Sequence, residues 1–273
     1  MIYKKKQLLL FFIFWSDNII NPCMESYDMH RQIQEIFGGL NQNFSLMEDP
    51  VDMNIQMRYF DISNRVGADF KEEEMLARKD ELYDPAVSRE KKMILLVQMA
   101  SVPSPEIYRI IENYAGNPDE GLQDWSKLAL HESKLLLESH FLEHKQVFIT
   151  SGLGGKGHKL RYFVVLINKK GSNLKPFEQK VVHSEMSYAL QKYDSELEKL
   201  DFMQRYTTMR VVVPLSSDLT RVFREGIDEC NQFGDFLLPD FIVTNLKEMS
   251  EEEINKALSM NMITEDDYFP PVD

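Results

Sequence analysis

The stretch Ser151-Gly152-Leu153-Gly154-Gly155-Lys156-Gly157-His158-Lys159 carries the residue types best suited to chemistry. Gly152, Gly154, Gly155 and Gly157 would let backbone N–H groups approach an anion closely, and Lys156, Lys159 and Arg161, with His158 among them, would add positive charge. The stretch departs from the phosphate loop of nucleotide-binding proteins. No Ser or Thr follows the lysine, and strand-like residues come next, so no helix N-terminus helps to hold the anion. The wider charge count matters more. Between 145 and 180 the bases are Lys145, Lys156, Lys159, Arg161, Lys169, Lys170, Lys175 and Lys180. Glu178 alone opposes these eight, a local charge of +7 in a chain of formal charge −13, which leaves −20 for the remainder. Such a split predicts an anionic ligand or an acidic partner at this segment. The expectation holds only if the chain's own carboxylates do not already meet those charges.

Three other groupings could do chemistry. His140-Phe141-Leu142-Glu143-His144 matches the H-x-x-E-H string of inverted zinc peptidases. That chemistry needs both histidines on one face of an intact helix, the glutamate as base and a distant third ligand. Strand-like residues begin at about Gln146, so the string falls where a helix must be ending, and His140, Glu143 and His144 are better explained as structural groups favoured near a helix C-terminus. Cys230 has Asp228 and Glu229 beside it, but it continues an apolar stripe, and carboxylates raise a thiol's pKa; a buried, inert cysteine is expected. Tyr162 and Phe163 beside basic residues could stack nucleic-acid bases on a sheet, provided that one sheet face is open. No pattern for a metal or an organic cofactor is legible.

These residues need a frame to hold them. At 273 residues the chain can bury one sizeable core or two modest ones, and 43% hydrophobic and 27% charged residues are ordinary for a globular protein. A net charge of −13 argues against a general nucleic-acid coat protein. Two cysteines, Cys23 and Cys230, make a disulfide framework improbable and favour a reducing, cytoplasmic setting. In residues 1–23, Lys4, Lys5 and Lys6 precede an apolar run from Leu8 to Trp15 that is too short to span a bilayer. Either this extension is a divergent export signal, or translation starts at Met24.

Residues 24–144 form a helical region. Helical patterns cover 24–37, 71–83, 89–100, 105–114 and 122–138, while 41–66 is mixed. Asn117-Pro118-Asp119-Glu120, with Asp124-Trp125 and Leu128-Ala129-Leu130, resembles the turn and second helix of a HEAT-like repeat. No second copy follows at a fixed period, so the resemblance implies one helical hairpin and no solenoid. The texture changes at Lys145. Residues 145–262 form a sheet region of order ββαβαβα, in which runs at 146–150 and 160–167 flank the glycine stretch as a hairpin with a long loop. A helix at 177–200, a strand at 208–215, a helix at 218–231 and a strand at 241–246 follow. Ser250 and Glu253 make a capping box for a closing helix, and residues 263–273 form a loose acidic tail.

The fold class is therefore α+β, with the N-terminal helical region packed on a C-terminal mixed sheet whose strand–helix–strand units pair in parallel. Strands apolar on both sides, such as Tyr162 to Ile167, call for cover on both faces. That cover closes the sheet to base stacking, so nucleic acid is not the expected partner. The leading expectation is a non-enzymatic binding or regulatory protein that engages an acidic partner through the basic hairpin. The first rival is an enzyme or sensor holding a small phosphorylated ligand at 151–159, and a structural homo-oligomer is the second.

Overall fold

The computed structural model describes residues 9–12, 44–67, 69–142 and 147–266. The helix expected at 24–37 lies outside these residues, as do Cys23, Glu143, His144 and the tail beyond 266. The chain divides into two compact units, Met1–Ile13 with Asn43–Gly152, and Phe14–Gln42 with Leu153–Asp273.

The first unit holds strands β1 (Leu9–Phe12) and β2 (Phe44–Leu46), helices α1 (Met53–Val66), α2 (Glu72–Ala77), α3 (Arg89–Ala100), α4 (Pro105–Gly116) and α5 (Gln123–Leu142), and strand β3 (Val147–Thr150). Capping side chains define the helix starts. Asp52 accepts from the N–H groups of Asn54 and Ile55, Ser88 from Lys91, and Ser104, just before Pro105, from Ile107. The core gathers Tyr59, Leu95, Leu96, Met99, Ile107, Ile111, Trp125, Leu128 and Phe148. The Trp125 indole N–H donates to the Met93 carbonyl at 2.9 Å, tying α5 to α3.

The helical hairpin expected at 105–138 is α4 and α5, and its turn is clamped from α3. The buried Lys92 ammonium meets Asp119 at 2.5 Å, and the Tyr114 hydroxyl donates to the same carboxylate at 3.1 Å. Between α1 and α5, the buried Glu132 carboxyl accepts from the Tyr59 and Ser63 hydroxyls at 2.6 and 3.2 Å. Burial raises its pKa, and those two hydrogen bonds offset the rise only in part.

The second unit holds β4 (Gly155–Lys156), β5 (Lys159–Asn168), α6 (Pro176–Lys192), β6 (Glu196–Phe202), β7 (Tyr206–Pro214), α7 (Leu219–Asn231), β8 (Leu237–Thr244) and α8 (Glu251–Asp266). β5 pairs antiparallel with β7 on one side, and β7 pairs antiparallel with β6. On its other side β5 pairs antiparallel with β4 at its start and with β8 further along.

Several expectations need correction. The sheet of this unit is wholly antiparallel among the described residues, not mixed. β5 and β6 do point the same way, as do β7 and β8, but each crossover skips one place and an antiparallel strand fills the gap. This is the split βαβ arrangement of ferredoxin-like folds. Next, β3 does not form a hairpin with β5; it pairs in parallel with β1 and β2 in the first unit. Last, the helix read over 177–200 stops at Lys192, and the remainder is strand β6. Asp194, at φ 53°, turns the chain between them, a conformation that Asp tolerates better than most residues.

Both sheet faces are covered from within the unit. On one, Phe241 meets Phe223 of α7 edge-on, and α6 and α7 pack closely enough that a Cβ on Gly226 would stand 2.6 Å from the Met186 sulfur. On the other, Ile254, Ala257 and Leu258 of α8 pack on Phe163, Val165, Tyr206 and Ile242. The capping box forms as expected: Ser250 N–H donates to the Glu253 carboxylate, and Glu253 N–H to the Ser250 hydroxyl. α8 runs on to Asp266, so residues 263–266 are helical rather than a loose tail.

Candidate functional site

The glycine stretch is a tight hairpin and not an open loop. Gly155 pairs with Leu160 and Lys156 with Lys159, leaving Gly157-His158 as a two-residue turn. Gly157 has φ 60°, as the first position of a type II′ turn requires. Gly152, Gly154 and Gly155 are buried. Backbone groups around them are engaged: Leu153 N–H donates to the Asn245 carbonyl, and Arg161 N–H to the Gly154 carbonyl. Replacing Gly157 by Val should lower stability by about 1–2 kcal/mol through backbone strain alone, since no atom stands within 4 Å of a new Cβ. Urea titration measures the loss, and a valine variant as stable as the parent would refute the turn.

The hairpin's positive charges meet acids of the same unit. Lys156 lies 2.5 Å from Glu196, and Lys159 sits between Asp194 at 3.0 Å and Glu196 at 3.3 Å. Arg161 grips Glu198 with two nitrogens, Nε at 2.6 Å and Nη2 at 2.9 Å, while Nη1 donates to the Leu153 carbonyl. Planar two-point pairing of this kind is the strong form of the contact. Arg210 extends the row, with Nε 3.1 Å from Glu198 and Nη1 3.0 Å from Glu248.

A bulge supplies part of this geometry. The register moves from Leu197 opposite Val211 to Lys199 opposite Arg210, so Glu198 is the extra residue and its carboxylate receives both arginines. The electrostatics follow. Hydrogen bonds from Lys156 and then Lys159 hold the Glu196 carboxyl below its ordinary pKa. The Arg161 guanidinium does the same to Glu198. Partial burial pulls the Lys159 ammonium down, but its bonds to Asp194 and Glu196 lift it above the usual value.

The remaining candidates fall into ordinary surroundings. His140 is exposed in the last turn of α5, while Glu143 and His144 lie outside the described residues. Among the described residues no three His, Cys, Asp or Glu side chains gather as a metal site. Cys230 is fully buried, and burial, then Glu185 and Glu229, push its thiol up to about 12. Tyr162 and Phe163 are both buried, Phe163 under α8. No described helix is long and apolar enough to cross a membrane.

Two features were missed in the sequence. The acids facing the hairpin are Asp194, just before β6, and Glu196 and Glu198 on it; they lie in a helix-like run, although the alternation Glu196-Leu197-Glu198 after Asp194-Ser195 is a usable signal. The second is a shallow cleft of ≈ 200 Å3 lined by Lys199, Asp201, Thr208, Arg210, Glu248 and Glu251, among others. It is smaller than the pockets that enclose most small-molecule ligands.

The fold and this surface define an α+β chain with a ferredoxin-like unit and a charge-paired hairpin. No protein-family model matches the chain, and no curated protein does. Solved structures share parts of its shape. A candidate transposase from Deinococcus radiodurans R1 overlaps 41% of this chain and 93% of its own, at 16% identity and TM-score 0.30. A REP-associated tyrosine transposase bound to a REP hairpin overlaps 38% and 67%, at 10% identity and TM-score 0.29. A C-terminal segment of the alpha subunit of aIF2 from Pyrococcus abyssi overlaps 72% and 99%, at 12% identity and TM-score 0.23. Likenesses this distant carry no part of the functional argument.

Proposed function

We propose that this is a non-enzymatic binding or regulatory protein that engages an acidic partner through Lys170, Lys175 and Lys180, the unpaired end of the basic stretch read as 145–180. The observation that carries the reading is where positive charge stays unspent. Lys156, Lys159, Arg161 and Lys169 have acids of their own unit, the last being Asp235. Lys170, Lys175 and Lys180 are exposed and, among the described residues, make no ion pair. A partner reaching the hairpin itself has to displace carboxylates already in place, whereas these three lysines only release water and counter-ions. First contact therefore belongs to the lysines at and before α6, which follow the end of β5 opposite the hairpin.

The test is retention of binding partners on the immobilised chain across a salt gradient. The variant K170E/K175E/K180E should lose the salt-sensitive fraction. The same proteins retained at the same salt by parent and variant would end this reading.

A further inference from the structure

We infer that the outward face of α6 is the docking surface for that partner, and that it binds an acidic protein segment bearing apolar side chains. This rests on the acidic-partner reading above and adds the surface and the second half of the partner's chemistry. Phe177, Lys180, Ser184 and Tyr188 recur at helical spacing along one side of α6, and all four are exposed. The core side buries Val181, Val182, Met186, Ala189 and Leu190, with Val181 on the flank next to Phe177 and Tyr188, so the two aromatics stand at the rim of the packed side. Phe177 and Tyr188 are 59% and 66% exposed, a large outlay of aromatic surface for a helix whose core side is already complete. They stand eleven positions apart, about 16 Å along the axis, and Lys180 and Ser184 lie between.

Aromatic anchors flanking a cation suit a partner that offers apolar groups within an acidic rim. The acids of α6 do not neutralise the stripe. Glu178 accepts from the Lys175 backbone N–H at the helix start, and among the described residues neither it nor Glu185 forms an ion pair with Lys180. Lys192, at the far end, already pairs with Glu225. Lys175 and Lys170 lie just before the helix and extend the positive field towards Phe177.

An anionic membrane is the less favoured occupant. Lipid recognition by charge takes clusters of about four to eight bases, whereas three unpaired lysines on a chain of charge −13 offer a local field that suits a short peptide better than an extended negative plane.

The probe is a fluorescein-labelled synthetic amphipathic peptide with glutamates along one flank and Leu and Phe along the other, followed by anisotropy against the full chain. Phosphatidylserine vesicles serve as a second arm. Every substituted side chain is exposed, and circular dichroism checks that the variants fold. The parent should bind the peptide with affinity that falls as salt rises. F177A/Y188A should weaken binding about tenfold or more with the salt dependence kept, and K170E/K175E/K180E should weaken it and flatten that dependence.

If the lysine variant loses binding while the aromatic variant stays within about twofold of the parent, the stripe is refuted and the acidic-partner reading stands. If both variants bind as the parent does, or the parent ignores the peptide at ~1 mM, both fall. Vesicle binding that needs Phe177 and Tyr188, without peptide binding, replaces the proposed protein segment with a membrane.

Discussion

Trp125→Ala should cost about 3–5 kcal/mol, the range for emptying a large aromatic site in a packed core. Three losses combine at this position. The indole is fully enclosed, it meets Tyr59 edge-on at 5.1 Å between ring centroids, and its N–H holds the Met93 carbonyl of α3. Tyr59 in turn donates to the buried Glu132 carboxyl, so a collapse of the site also disturbs the group least able to stand alone. Amide exchange followed by mass spectrometry should show α1, α3 and α5 opening first. β5 and β7 should keep their protection, because their side chains belong to a different compact unit. A loss under about 1 kcal/mol would mean that this ring does not organise the helical core.

Arg161→Glu is the second large effect, about 2 kcal/mol or more. Exposed ion pairs contribute 0–1 kcal/mol and buried pairs cost 3–5 when broken. Arg161 and Glu198 lie between those limits, at 19% and 21% side-chain exposure. The substitution does more than remove a contact. It sets two carboxylates against each other, leaves the Leu153 carbonyl without its donor, and unsettles the arginine row that continues through Arg210. Urea denaturation of the variant measures the cost, and added salt should relieve part of it by screening the new repulsion.

How far the sequence carries the structure differs between elements for physical reasons. Helix starts are legible because their signals are local: Ser88, Ser104 with Pro105, and Ser250 with Glu253 each state a boundary within four residues. α1 is harder to see. Its stretch Met53–Val66 is amphipathic as a helix, but the alternation Met53, Ile55, Met57, Tyr59 competes with the helical period, and its one clear marker is Asp52. β6 reads as helix because Glu196, Leu197, Glu198, Lys199 and Leu200 are all good helix formers, and only neighbouring strand β7 makes them extended.

Strand partnership is less legible still. Nothing in Val147–Thr150 states that it belongs with β1 and β2 rather than with β5. The inserted antiparallel strands that separate β5 from β6 and β7 from β8 leave no mark in either segment's composition. In β8, Pro239 and Asp240 interrupt an apolar run and hide the strand's first half; they fall where the register with β5 shifts.

The same limit applies to the site. Lys156, Lys159 and Arg161 were identified from their own residue types, and the glycines from theirs. Their acids lie roughly 40 residues on and meet them only because the sheet brings β6 within reach. Charge counted along the chain therefore located the basic segment but could not say which bases were already spent.

A double-mutant cycle on Arg161→Ala and Glu198→Ala, read by urea unfolding, addresses that distinction at its root. Internal consumption of the hairpin's charge requires the two losses to overlap, with a coupling of about 1 kcal/mol or more. Strictly additive losses would leave the guanidinium uncommitted, return the anion site to the glycine hairpin, and undo the case for α6.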